Sequence, residues 1–287
     1  MQRHNSVLTS PCRPRMRAQV SGILIWLALC WLALAWLAPA WPALAATAPT
    51  PPCPHPDALG TSRILSVDAK ATPRVGLKSF PQSLPLADRE VVLTFDDGPW
   101  PPTTSRVLAA LARECVRATF FLIGKPASAH PELVRRIAAE GHSVAHHTWS
   151  HRSLKRVKFE TATEEIDLGI SAVEMALHGK AATTPTTPFF RFPGFESTPA
   201  TLDLLQSRGI VVFGADQWAS DWNGMTPKQE LKLVTDRLNA AGKGIILFHD
   251  TKAQTAAVLP AFLRYLRNNG YRVVHVIPAE PAAAGRH

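Results

Sequence analysis

Two adjacent carboxylates, Asp96 and Asp97, follow the apolar run Val91–Phe95 and are turned away by Gly98-Pro99. Neighbouring acids at a strand exit point to different sides, so one can ligate a metal while the other accepts a proton. The same residues also suit an ordinary polar turn. Fifty residues on, His147-Thr148-Trp149-Ser150-His151 places two imidazoles four apart. On a helical turn that spacing brings both to one side and suits zinc-type ligation. With Asp97 they make three protein ligands, which leaves a position open for water, as catalytic metal sites require. His142 and His146 fit a core or surface role equally well. Three further groups lie in comparable places: Arg191-Phe192-Pro193-Gly194-Phe195, the stretch Asp216 to Trp222, and Leu247-Phe248-His249-Asp250.

These five segments each follow a short apolar run. Expected strands are Val91–Phe95, Ala118–Ile123, His142–His146, Phe189–Phe192, Ile210–Gly214, Gly244–Phe248 and Tyr271–Val276. Helical periodicity fills the gaps: Ile166, Ile170, Val173 and Leu177 share one face, and so do Val258, Leu259, Phe262, Leu263 and Leu266. The second of these helices is expected to stop before Gly270, and another to start at Thr226 with Pro227 first and Gln229 in capping-box position. Repeated βα units with buried strands imply an α/β fold on a parallel sheet, open or closed. Every candidate group then lies at a strand's C-terminal end, the edge where parallel α/β folds assemble their active sites. Residues 61–88 are ambiguous, adding a strand or wrapping the edge.

The ordered set resembles the polysaccharide deacetylase family, the NodB-homology domain of carbohydrate esterase family 4. The resemblance rests on Thr94-Phe95-Asp96-Asp97-Gly98-Pro99, on His147 to His151 and on Leu247-x-His249, and it covers residues 89–277. It implies a distorted (β/α) barrel of about seven parallel strands and removal of acetyl groups from a glycan. Asp97, His147 and His151 would hold a divalent metal, with zinc expected and cobalt an alternative. Asp96 would be the general base, oriented by Arg191. His249 would protonate the leaving amine, with Asp221 keeping it oriented and charged. The metal and a backbone N–H near Gly194 would stabilise the oxyanion, and Trp222 and Leu247 would shape the acetyl pocket. Each has an ordinary alternative: Arg191 in a surface ion pair, Trp222 and Leu247 in core packing. The sequence departs from the family at Gly194, where Tyr is frequent, with Phe195 as a substitute aromatic wall, and at Trp218, where Asp is common. Both changes touch the groove. Three functions compete: N-deacetylation of an N-acetylglucosamine-containing polymer such as peptidoglycan or chitin oligomers, O-deacetylation of an acetylated polysaccharide, and sugar binding without catalysis. The last is disfavoured because Asp96 and all three ligands are kept.

The rest of the chain bears on where it acts. Residues 20–38 are uncharged and apolar over 19 positions, preceded by Arg3, Arg13, Arg15 and Arg17 and followed by Ala43-Leu44-Ala45. Residues 1–45 are thus expected to be a signal peptide or a retained membrane anchor, and the protein to be periplasmic or extracellular. Residues 46–88 form a Pro-rich spacer and N-terminal extension, and residues 278–287 a tail. Beyond the leader, 27 basic side chains face 22 acidic ones. That excess suits an anionic polymer or a solvated surface, and without a basic block or stripe it excludes a nucleic-acid partner. No protein partner is indicated, and membrane contact is expected only through the N-terminal segment. Cys53 and Cys115 would share an oxidising compartment, but Cys115 beside an apolar strand is expected to be a buried free thiol.

Overall fold

The computed structural model describes residues 53–280, so the leader, its cleavage or retention, and residues 281–287 of the tail lie outside the described residues. No helix among the described residues is long and apolar enough to cross a membrane. Ten strands form the sheet: β1 (Thr61–Val67), β2 (Arg74–Val75), β3 (Glu90–Asp96), β4 (Thr119–Leu122), β5 (Ser143–His146), β6 (Phe189–Phe190), β7 (Val211–Phe213), β8 (Gln217–Trp218), β9 (Gly244–His249) and β10 (Arg272–Pro278). Seven helices lie between them: α1 (Thr103–Arg113), α2 (Gly124–Ala129), α3 (Pro131–Ala139), α4 (Phe159–His178), α5 (Pro199–Ser207), α6 (Pro227–Ala241) and α7 (Ala253–Asn268).

Every strand pair is parallel. Strand β3 is the centre. Its residues 94–96 pair with both β4 and β9, so these two flank opposite edges. Val91 pairs with Gly244 on β9 and with Val273 on β10, so β10 shares the β4 edge lower down. The main run is β8-β9-β3-β4-β5-β6-β7, and only Gly214-Ala215-Asp216 separates β7 from β8. No ladder joins β7 to β8 among the described residues, so the ring is a distorted barrel with one open seam. All seven expected strands are present. The three beyond that number are short or lie in the N-terminal extension, where β1 pairs with β10 and β2 with β7.

Strand β3 is buried at every position, and so are β4 and β5, as parallel strands covered on both faces should be. Phe95, Phe120 and Phe248 stack side by side on adjacent strands beneath α1 and α7. Helix α4 buries Ile166, Ile170 and Val173, and α7 buries Val258, Leu259, Phe262, Leu263 and Leu266. Thr226, Pro227 and Gln229 make the expected capping box on α6. Cys53 and Cys115 correct the expected free thiol: they form a disulfide with Cα atoms 5.8 Å apart. Leu59 N–H also donates to Glu114 Oε2, so the segment before β1 is bound to the end of α1 by three kinds of contact once Gly60 N–H to Glu114 O is included.

Candidate active site

Strand register lines up the C-terminal edge. Asp96 is level with His249 on β9 and Phe121 on β4, and Leu122 is level with His146 on β5 and Phe190 on β6. The next residues along the chain, Asp97, His147 and Arg191, therefore emerge together. Asp97 Oδ1 lies 3.5 Å from His147 Nε2 and 3.3 Å from His151 Nε2. Two donors about 2.1 Å from a tetrahedral ion are roughly 3.4 Å apart, so the spacing fits zinc-type ligation. The chemistry of the donors agrees. Asp97 Oδ1 is buried without a hydrogen-bond donor, and His147 Nδ1 is bonded to Arg191 O at 2.7 Å, which commits the ring to offer Nε2. Burial opposes ionisation of Asp97, but the close His147 imidazole, 3.5 Å away, and the charges of His249 and His151 hold it below the usual carboxylate range.

The two imidazoles do not share a helical turn, which corrects the sequence expectation. His147 to His151 is a loop in which Thr148 and His151 adopt positive φ of 66° and 61°. Such backbone persists only where the surroundings impose it. Helix α4 does so: Trp149 N–H donates to Glu165 O, and Ser150 N–H and Oγ both bond the Glu165 carboxylate. Gly169 completes the seat, since a Cβ there would lie 2.4 Å from the Thr148 carbonyl carbon. On the other side Gly124 N–H donates to Thr148 O. Sequence reading missed Glu165 and Gly169. Their only signals were an acid and a glycine inside an apolar helical face.

Arg191 is fully buried and extends across the barrel. Its NH1 bonds Asp96 Oδ1 at 2.7 Å and Thr94 Oγ1 at 2.9 Å, its NH2 bonds Gly214 O at 2.8 Å, and its guanidinium lies 4.2 Å from the Phe121 ring centre. It is no surface ion pair. With Oδ1 taken, Asp96 turns Oδ2 to the cleft, 3.9 Å from His147 Nε2. Opposite, Asp221 grips His249: Oδ1 bonds Nδ1 at 2.7 Å, and Oδ2 accepts from His249 N–H and Thr255 Oγ1. Burial would lower the imidazole's pKa, but the Asp221 hydrogen bond and charge, with those of Asp96 and Asp97, raise it to about 9. Its Nε2 faces Asp97 Oδ2 at 4.0 Å. His142 and His146 are core residues held neutral, each pushed down to about 3 chiefly by burial.

A cleft of about 390 Å³ joins these groups. Leu247, though buried, lines its floor, and Trp222 stands 48% exposed on its wall with an edge-on contact to His249. Phe195, Trp218 and Trp222 form a continuous aromatic row with centroids 6.0 and 6.2 Å apart. Gly194 lines the cleft, and the neighbouring Phe195 N–H is spent on Phe192 O. Phe192 and Trp218 also line it, and so does Lys252, which was not anticipated. Asp216 lies away from His249. Its carboxylate binds Leu77 N–H, Ser83 Oγ and Ile245 N–H. The arrangement offers a carboxylate acceptor and a protonated imidazole donor beside a three-ligand set, which suits acid–base hydrolysis.

The family model for polysaccharide deacetylases matches residues 84–213. The chain is 31% identical over 196 residues to a peptidoglycan-N-acetylglucosamine deacetylase of Listeria monocytogenes, covering 66% of this chain and 38% of that one. It is 30% identical over 205 residues to a chitooligosaccharide deacetylase of a Bradyrhizobium species, covering 66% of this chain and 90% of that one. Among solved structures, a peptidoglycan deacetylase of Bdellovibrio bacteriovorus superposes with a TM-score of 0.67 at 31% identity, covering 77% of this chain and 60% of that one. The chain therefore spans well under half the length of the Listeria relative.

Proposed function

Because the chain belongs to the polysaccharide deacetylase family, we propose that it removes N-acetyl groups from an N-acetylglucosamine-containing glycan outside the cytoplasm. The observation that carries this reading is the pair of hydrogen-bonded couples, Asp96–Arg191 and His249–Asp221, brought to the same sheet edge as Asp97, His147 and His151. Asp97, His147 and His151 would hold a divalent ion, zinc or cobalt. When bound, it supplies Lewis acidity that makes water a stronger acid and offsets negative charge on the acetyl oxygen.

The chain's own residues do the rest. Asp96 Oδ2 takes the proton of the attacking water, while Arg191 holds Oδ1 and keeps the carboxylate ionised and aimed. The Gly194 N–H donates to the acetyl oxygen as it gains charge. His249 Nε2 gives its proton to the leaving nitrogen, and Asp221 holds Nδ1 and the charge. Leu247 and Trp222 enclose the methyl group. The raised pKa of His249 favours the amide over the ester reading, since an amine must be protonated to leave and an alcohol needs less help. The Cys53–Cys115 disulfide supports an oxidising compartment. We assign catalysis to residues 89–277, with β1 and β2 as additions from the extension. The test is mass spectrometry of products from N-acetylglucosamine oligomers and from O-acetylated xylan with zinc-loaded protein. Loss of 42 mass units (one acetyl) from the first substrate alone is expected, and loss only from xylan overturns the reading.

A further inference from the structure

Trp218 divides two depressions. On one side is the catalytic cleft. On the other is a second hollow of about 380 Å³ lined by Lys78, Asp216, Gln217, Trp218 and Arg237. Lys78 comes from the loop after β2, in the extension that precedes the family match, and its Nζ sits 5.4 Å from the Trp218 ring centre. Three backbone and carboxylate ties fix that loop: Lys78 N–H donates to Ala215 O, Leu77 N–H to Asp216 Oδ1, and Ser83 Oγ to Asp216 Oδ2. Gly76 packs against the Gly214 and Ala215 backbone, where a Cβ would come within 2.6 Å. Arg237 on α6 secures Trp218 from behind, with NH1 donating to Trp218 O at 2.6 Å and to Ser220 Oγ at 2.7 Å.

The charge of this hollow is unbalanced. Among the described residues, neither Lys78 nor Arg237 forms an ion pair, and neither does Lys252 in the adjoining cleft. The single carboxylate present, Asp216, is spent on Leu77, Ser83 and Ile245. Two cations in a hollow that shares the Trp218 wall with the catalytic cleft suit a carboxylate-bearing sugar.

We propose that Lys78 and Arg237, across Trp218 from the metal ligands, form a subsite for the carboxylate of a sugar adjoining the one that is deacetylated. The enzyme therefore prefers an anionic glycan to a neutral one. The inference rests on the deacetylase reading above and adds to it the class of its substrate: an N-acetylhexosamine polymer in which neighbouring residues carry carboxylates.

The probes are a tetrasaccharide alternating N-acetylglucosamine with its lactyl-ether acid, the methyl ester of that tetrasaccharide, and the neutral N-acetylglucosamine tetramer. Binding is measured by calorimetry and turnover by acetate release, on zinc-loaded full-length protein. The free acid should bind about three- to tenfold more tightly than its methyl ester, with the difference shrinking at high salt. Lys78→Glu should abolish that ratio through Kd and KM while kcat changes little, and Lys78→Arg should restore it. Lys78 is exposed, so the variant should fold; a matching melting temperature checks this. Equal affinity of the wild-type protein for acid and ester overturns the subsite, as does an acid-to-ester ratio that survives Lys78→Glu. If acetate is released from none of the probes, the deacetylase reading fails, while the binding ratio still decides the subsite.

Discussion

Asp221→Asn isolates the acid half of the reaction. Burial alone would leave His249 below its ordinary value, yet the hydrogen bond and charge of Asp221, helped by Asp96 and Asp97, bring it to about 9. Against an ordinary histidine near 6.5, this is roughly 2.5 units, or about 3 kcal/mol at 1.36 kcal/mol per unit. Asparagine keeps the shape and one acceptor but removes the charge, so burial is opposed only by the more distant carboxylates. His249 should then titrate at or below about 6.5. At pH 8 its protonated fraction falls from about nine-tenths to about 3%, a roughly 30-fold loss of kcat, whereas at pH 6 the loss from protonation is under about twofold. The assay is acetate release at saturating zinc and substrate from pH 5.5 to 9.5 (a range of roughly four units around neutral). The alkaline limb should move to lower pH while the acidic limb stays. Linkage gives a second readout in metal-free protein. A folded pKa above the unfolded value means stability present in full below about 6.5 and lost as pH rises through about 9. The variant should therefore melt earlier than wild type at pH 6, with the gap narrowing by pH 10. A slow variant with an unmoved alkaline limb would refute the coupling of Asp221 to His249.

Three further outcomes are expected. Asp97→Ala should lose both bound zinc and turnover. Asp96→Asn should keep about one ion per folded chain while losing about 10²–10⁴-fold in rate; equal loss of metal in both, measured by plasma emission, would contradict the division of roles. Glu230 is fully buried with neither carboxylate oxygen hydrogen-bonded, and burial and the Asp221 charge raise it to about 7. A carboxyl raised in the fold costs stability as pH climbs from about 4.5 toward 7, so Glu230→Gln should raise Tm by calorimetry at pH 8 and change it little at pH 4; a lower Tm at pH 8 would sink the assignment. Cys115→Ser removes a crosslink across 62 residues, which chain-entropy arguments put at about 4 kcal/mol, so its urea midpoint should drop well below that of the unreduced protein.

The site was legible where chemistry is written in residue type and order. Asp97, His147, His151, Asp96 and His249 all follow apolar runs, and parallel register delivers such residues to one edge. The seven expected strands were legible for the same reason, even β6, where the apolar run is longer than the two residues that pair. What escaped was whatever depends on partners distant in sequence. Strand β1 is an edge strand paired only with β10, and it alternates half-buried and exposed residues over Thr61–Ser66 because one of its faces is open to solvent. Strands β2 and β8 have two residues each, too few for any period to register. The histidine spacing suggested a helical turn, yet Gly169 and Glu165, eighteen or more residues downstream of His147, impose a loop instead. Cys53 pairs with Cys115 because the segment before β1 runs back along the end of α1, a path set by Glu114 contacts.

Arg191 also determines how the enzyme loses activity when it is heated. Its guanidinium bonds residues of β3 and the end of β7 and lies against Phe121 of β4, and its backbone carbonyl is bonded to His147 Nδ1. Removing either member of a buried charge pair costs about 3–5 kcal/mol, so a barrel that opens at any of these strands exposes a partnerless charge in the core. The catalytic groups are therefore not appended to a scaffold that could outlive them. Site assembly and barrel closure are expected to be one cooperative event. Heat inactivation should accordingly track loss of the aromatic near-ultraviolet signal degree for degree, without an earlier softening of the site.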